Sequence, residues 1–216
     1  MTPNNDAQIL ELFPTPVYTT MVPDSLGDVL PWIHEQPMMS DGIDSDNYGD
    51  RSSSSYILDD ENTIELKKFI LNEIKKFGDT LGYDYESYRV GQSWISHKHP
   101  GQHHTMHSHP NSLISGVFYF GEPTDDTPAI KFHKATGGIG VSSIKPKTVA
   151  DKRLFPLAWD EFSIPFQPGR LLLFPSYLHH SVPLNKSNSV RCSIAFNSVP
   201  SIGFGSESNL TELKFG

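Results

Sequence analysis

Apolar positions recur at helical spacing in one clear stretch of this chain. Ile64, Phe69, Ile70, Ile74 and Phe77 fall near one side of a helix, with Glu65, Lys67, Lys68, Lys75 and Lys76 left for solvent. This predicts a helix over residues 60–81, capped by Asp59 or Asp60 and stopped at Gly82. Elsewhere the apolar runs are short and cut by turn residues. They predict strands at 85–96, 112–120, 129–133, 161–165, 170–175 and 189–198, with a short strand running into His179 and His180. The run at 112–120 barely alternates, as expected of a strand covered on both faces. Residues 9–20 carry two prolines and suit an edge strand or an extended arm. Residues 25–36 read as a short helix broken at Pro31, and 39–55, rich in Ser, Asp and Gly, as a loop. The connection 134–160 has the length of a functional lid or a disordered segment. The tail after Gly203 carries no clear pattern.

Helices followed by about eight strands make an α+β, mainly β, chain whose β part suits a jelly roll. The expected organisation is a single domain: an N-terminal arm and helices over 1–84, a β core over 85–200 and a tail over 201–216. At 216 residues the chain can bury a core without staples. Its formal charge of −8 is dispersed, which argues against broad nucleic-acid binding. Cys192 is the single cysteine, so no intrachain disulfide can form and a reducing interior is expected. The first residues lack a basic start with an apolar run, and no stretch approaches a membrane span. These features together predict a cytoplasmic protein, in the host cytoplasm if the source is viral.

Candidate chemistry concentrates in the segment QHHTMHSHPNSLISGVFYF, residues 102–120. It holds four of the ten histidines, with His97 and His99 just before it. Imidazole binds first-row transition metals through a neutral ring nitrogen. His107 and His109 stand at i and i+2, so on an extended segment both point to one face and can grip one ion. A third ligand is available from the doublet His179–His180. His180 is the choice here, although strand parity alone does not separate the two. His97, His99 and His103 read as incidental surface residues. Arg191 lies in a strand of small and apolar residues, where a guanidinium needs an anion. Its planar fork suits a carboxylate, and Ser193, on the same face, can add a donor. Trp94, His104, Asn111 and Tyr119 are candidate pocket residues by proximity and parity. Trp94 and Tyr119 also read as core aromatics, Asn111 as a turn cap, and Cys192 as a small buried hydrophobe.

Three segments in order, HSHPNSLISGVFYF, PGRLLLFPSYLHHSVPLN and RCSIAFN, together with the opening LFPTPVY, resemble the 2-oxoglutarate and iron(II) oxygenases found in phages and marine bacteria. That group is similar to the prolyl-hydroxylase branch of its superfamily. The resemblance implies a double-stranded β-helix (a cupin-like jelly roll) with iron at its open end. It implies iron(II), 2-oxoglutarate and O₂ as cofactor and cosubstrates, with release of succinate and CO₂. His107 then matches the first metal ligand, His180 the distal one, Arg191 the salt-bridge partner of 2-oxoglutarate, and Ser193 its neighbour. The superfamily's second ligand is usually an acid, and here that position is His109. This departure keeps open a three-histidine dioxygenase that needs no keto acid, and a jelly-roll binding or assembly module with a structural metal. The substrate, a small molecule or a protein, is not readable from the sequence, nor is a homodimer excluded.

Overall fold

The computed structural model describes residues 14–40, 48–122, 124, 126–134 and 161–215. The suggested lid at 134–160 lies, beyond Lys134, outside them, as does the first part of the arm.

The chain enters through β1 (Tyr18–Met21), a 3₁₀ turn (Asp24–Val29) and helix α1 (Leu30–His34). Strands β2 (Met38–Ser40) and β3 (Asp50–Ser52) follow, then two more 3₁₀ turns and helix α2 (Ile64–Thr80). The remaining strands are β4 (Tyr88–Lys98), β5 (His104–His107), β6 (Ile114–Phe120), β7 (Ile130–His133), β8 (Glu161–Ile164), β9 (Arg170–Pro175), β10 (His180–Val182) and β11 (Arg191–Pro200). A small hairpin, β12 (Gly203–Phe204) with β13 (Leu213–Lys214), closes the chain.

Two antiparallel sheets result. The larger has the order β1-β9-β6-β11-β4-β3-β2, the smaller β5-β10-β7-β8. The large sheet is covered on both faces, which is why β6 is buried at every position. Its even-numbered side chains, Phe118 and Phe120, join Ile95, Ile194, Phe196, Leu171 and Leu173 in a core shared with Leu66, Ile70, Ile74 and Phe77 of α2. Its odd-numbered side chains, Val117 and Tyr119, pack with Leu172, Phe174, Phe166, Ile130 and Phe132 on the side of the small sheet. Alternation therefore sorts β6, β9 and β11 into an outer, helix-facing set and an inner set facing the small sheet, while β4 changes parity at a bulge between Val90 and Ser93. On β11 the inner set is Arg191, Ser193, Ala195 and Asn197, because Cys192, Ile194 and Phe196 are outer.

The helix expected over 60–81 is a 3₁₀ turn running into α2. The Asp60 carboxylate caps it by accepting from the Asn62 amide at 2.9 Å, and Gly82, at φ 75°, follows its end. Ile64, expected on the apolar stripe, is exposed, and Leu66 and Glu73 are buried instead. Glu73 is tolerated because Tyr18 Oη and Lys76 Nζ donate to its carboxylate at 2.5 and 2.6 Å. Three expectations need correction. Pro31 does not break a helix; it sits in the first turn of α1, where its missing N–H has no partner to lose. Residues 39–55 are not wholly a loop, since their ends pair as β2 and β3 (Met38 opposite Ser52) and widen the large sheet. The tail carries the β12–β13 hairpin.

Candidate metal centre

Strands β5 and β10 pair so that His180 stands directly opposite His107. After β5 the chain turns through Pro110 and Asn111, the latter at φ 57°, and re-enters as β6. The turn is clamped on both sides: the His109 amide donates to Ser176 O at 2.9 Å, and the Ser176 amide donates to Leu113 O at 3.1 Å. This hangs His109 beside the other two histidines. One ligand atom from each of His107, His109 and His180 lies within 4.8 Å of the others.

The rings are set up to receive a cation. His107 Nδ1 is 2.9 Å from Thr105 O and His180 Nδ1 is 3.0 Å from Leu178 O. A carbonyl can only accept, so each Nδ1 carries the proton and each Nε2 presents its lone pair. His109 Nε2 and His180 Nε2 are 3.3 Å apart. Two nitrogens bound to one ion at about 2.1 Å would be separated by roughly 3.0–3.4 Å, depending on the bond angle. Burial, then the neighbouring imidazoles His107 and His104, push His109 down to about 4. Burial, then His107, push His180 down to about 3, against the pull of the Leu178 carbonyl. All of this favours neutral rings at pH 7, the form that binds metal. Phe174 and Phe132 wall His180, with ring centroids at 4.8 and 6.2 Å. The donor set thus fits a transition ion, with three neutral imidazoles where a carboxylate is the commoner third partner.

Arg191 lies on the inner face and is only 3 % exposed. Its Nε donates to Pro128 O at 3.2 Å, and its guanidinium lies 4.8 Å from the Tyr119 ring and 5.9 Å from that of Phe166. Among the described residues no carboxylate pairs with it. Ser193, buried one inner position further along, makes no side-chain hydrogen bond among them either. The Tyr119 hydroxyl is buried without a partner. Burial holds that phenol above its usual range, and the Arg191 cation pulls the other way. One end of the cavity therefore holds a cation and two hydroxyls with no internal anion to serve.

Of the sequence-stated pocket candidates, Trp94 is half-buried with its ring 6.1 Å from that of His109. His104 stacks 4.2 Å from His107, and Tyr119 belongs to the Arg191 end. Asn111 stands exposed on the turn. His179 is exposed, and its carbonyl accepts from the His133 amide at 2.9 Å. The surface reading of His97 needs correction. It sits half-buried on the outer face of β4, with Nε2 unpartnered, and burial pushes it down to about 4. His99 pairs with Asp50 at 2.9 Å, and the His103 ring lies 5.5 Å from that of Tyr48. Sequence reasoning missed the aromatic walls Phe132, Phe166 and Phe174, and also Asn197. The inner-face parity of β11, already used for Arg191 and Ser193, was the signal that could have found Asn197.

A jelly roll with three converging histidines at one level and a buried, unpaired arginine at another defines a metal-dependent oxygenase of the 2-oxoglutarate class. Residues 92–197 match the model of a family described as "Putative 2OG-Fe(II) oxygenase". That span contains all three histidines, Arg191 and Ser193, and the match supports an iron(II)- and 2-oxoglutarate-dependent oxygenase activity. Similar solved structures share the fold at low identity. A 2OG-Fe(II) oxygenase family oxidoreductase from Burkholderia pseudomallei superposes with TM-score 0.54 at 14% identity, over 84% of this chain and 84% of that one. A Pseudomonas putida prolyl-4-hydroxylase gives 0.55 at 13%, over 85% and 92%. The epimerase SnoN, solved with Fe3+, alpha ketoglutarate and nogalamycin RO, gives 0.59 at 11%, over 90% and 85%. No curated protein sequence matches the chain.

Proposed function

We propose that this oxygenase hydroxylates a C–H bond of a small-molecule or protein substrate, with His107, His109 and His180 holding iron(II). Bound iron(II) and 2-oxoglutarate supply the O₂-dependent oxidative decarboxylation that yields succinate and CO₂. The chain's own residues bind and orient. Thr105 O and Leu178 O fix the ring tautomers of His107 and His180. Phe132 and Phe174 exclude water from the far side of His180. Arg191 offers its fork to the remote carboxylate of the keto acid, and Ser193 Oγ and Tyr119 Oη add donors.

The observation that carries this reading is the buried Arg191 with no carboxylate partner among the described residues. A keto-acid-free three-histidine enzyme would have no use for a cation stored there. The likeness in fold to a prolyl-4-hydroxylase is consistent with hydroxylation, and the three sequence motifs support the phage and marine-bacterial branch. The test is succinate release in air from protein supplied with iron(II) and 2-oxoglutarate. A slow release that needs both additions and vanishes in His180→Ala is expected. No release from the native protein at any iron concentration would contradict the proposal.

A further inference from the structure

The inner face of β11 reads Arg191, Ser193, Ala195, Asn197. The first two serve the keto-acid end. Asn197 lies at the other end, tied to the turn that carries His109. Ser115 Oγ is 2.8 Å from Asn197 Oδ1 and 2.8 Å from Ser176 Oγ. Ser176 Oγ is 2.8 Å from Ser112 Oγ, and the Ser176 carbonyl holds the His109 amide. Trp94 is the register partner of Ala195, two residues before Asn197, and its ring lies 6.1 Å from that of His109.

The protons in this chain can be ordered in two ways. Three hydroxyls carry three hydrogens. With Asn197 Oδ1 towards Ser115, Ser115 donates to Asn197 Oδ1 and Ser176 to Ser112, which leaves the 2.8 Å contact between Ser115 and Ser176 without a hydrogen and the NH₂ group of Asn197 unused. Turning the amide over completes the run: Asn197 Nδ2 donates to Ser115, Ser115 to Ser176, Ser176 to Ser112, and Ser112 to Ser198 O at 3.2 Å. That order leaves a carbonyl and one N–H unused. Only the second order places a hydrogen in every contact of the chain. It leaves one acceptor and one donor of the carboxamide without a partner among the described residues, on a half-buried side chain of the inner face of β11.

We infer that Asn197 is a specificity-determining residue that reads a planar amide on the substrate, laid against the Trp94 ring. This rests on the oxygenase reading above. An amide presents one donor and one acceptor side by side, and Asn197 answers with its complementary pair. A carboxylate or phosphate would call for a cation, and the only cation found on the inner face of β11 is Arg191, at the opposite end. The substrate class is therefore a carboxamide, a lactam or a peptide bond next to the oxidised carbon.

The experiment uses the full chain with iron(II), 2-oxoglutarate and air. It measures the probe concentration giving half-maximal stimulation of succinate release, relative to each variant's own probe-free rate. Probes come in pairs that differ in the amide N–H: 2-pyrrolidinone with γ-butyrolactone, hexanamide with methyl pentanoate, and a capped alanine dipeptide with its depsipeptide analogue. The last pair separates a peptide source from a free amide. In the native protein at least one amide should act at about tenfold lower concentration than its ester, the worth of one hydrogen bond lost from a desolvated pair. In Asn197→Ala, and in Asn197→Asp, which donates nothing, that ratio should fall towards one. A purely structural Asn197 would weaken both members of a pair alike and leave the ratio standing. A ratio near one in the native protein, or one unmoved by both substitutions, overturns the inference while leaving the oxygenase. Absence of any succinate release overturns the oxygenase reading and the inference with it.

Discussion

Replacing Arg191 with methionine should move stability and cosubstrate affinity in opposite directions. The guanidinium is almost wholly buried and gains one backbone hydrogen bond and the Tyr119 and Phe166 ring faces. Those rings return about 1 kcal/mol. Keeping an unpaired cation out of water costs several kcal/mol. Methionine has similar length and no charge, so the metal- and keto-acid-free protein should gain about 1–2 kcal/mol, or a melting temperature higher by a few degrees for a chain of this size. The keto acid, in contrast, loses its charged partner. Breaking a buried charged pair costs about 3–5 kcal/mol, which is roughly 10²–10⁴ in Kd. The assay is paired: thermal unfolding of the free protein, and anaerobic calorimetric titration of the iron-loaded protein with 2-oxoglutarate. A variant that is less stable by 2 kcal/mol or more yet binds 2-oxoglutarate as tightly as the native chain would refute the reasoning and make Arg191 a structural residue.

Further outcomes follow from the same geometry. His109→Ala should weaken iron(II) binding at least tenfold in a metal titration, whereas His109→Asp, which restores a carboxylate ligand, should retain it; native affinity in the alanine variant would remove His109 from the ligand set. His109 and His180, lowered to about 4 and about 3, bind protons in the unfolded chain before they do in the fold. Metal-free protein should therefore change little in stability between about pH 7 and 8, above which the raised Cys192, Tyr88 and Tyr18 groups begin to lower it. Below about pH 6.5 it should lose about 1.4 kcal/mol per pH unit for each such group, read as urea midpoints against pH. Gly116→Ala should destabilise by about 1–3 kcal/mol in urea, because the added methyl runs into the Phe196 ring and Leu173 inside the outer core.

The central strands were legible because each carries enough apolar residues to declare its faces, and the same parity put Arg191 and Ser193 side by side. The i, i+2 pair His107 and His109 was legible from its spacing, although His109 lies past the end of β5 and is held by the Ser176 carbonyl, not by strand parity. The choice of His180 over His179 was not, since a doublet occupies both faces of a strand; it is decided by the register that sets His180 against His107. Strands β2 and β3 were hidden because hydroxyls do there what apolar side chains do elsewhere. Ser52, fully buried, donates to Ser54 O at 2.6 Å and accepts from the Ile95 amide at 3.0 Å. Such a residue scores as loop in any hydrophobic pattern. His97 was misread because its burial comes from α1 and Phe120, which are remote in sequence. Asn197 was passed over because parity puts it on the inner face but does not show the serines of two other segments, Ser112 and Ser115 at β6 and Ser176 after β9, that tie it to the His109 turn.

The central claim is that three imidazoles hold an iron that 2-oxoglutarate chelates, with Arg191 anchoring its far end. Its most direct test is an anaerobic titration of metal-free protein with iron(II) and then 2-oxoglutarate, watching the visible charge-transfer band of a chelated keto acid. The account predicts a band that requires both components and is lost in His180→Ala and in Arg191→Met at matched keto-acid concentration. Iron binding with no band at saturating 2-oxoglutarate would contradict it and leave a three-histidine site that works without a keto acid.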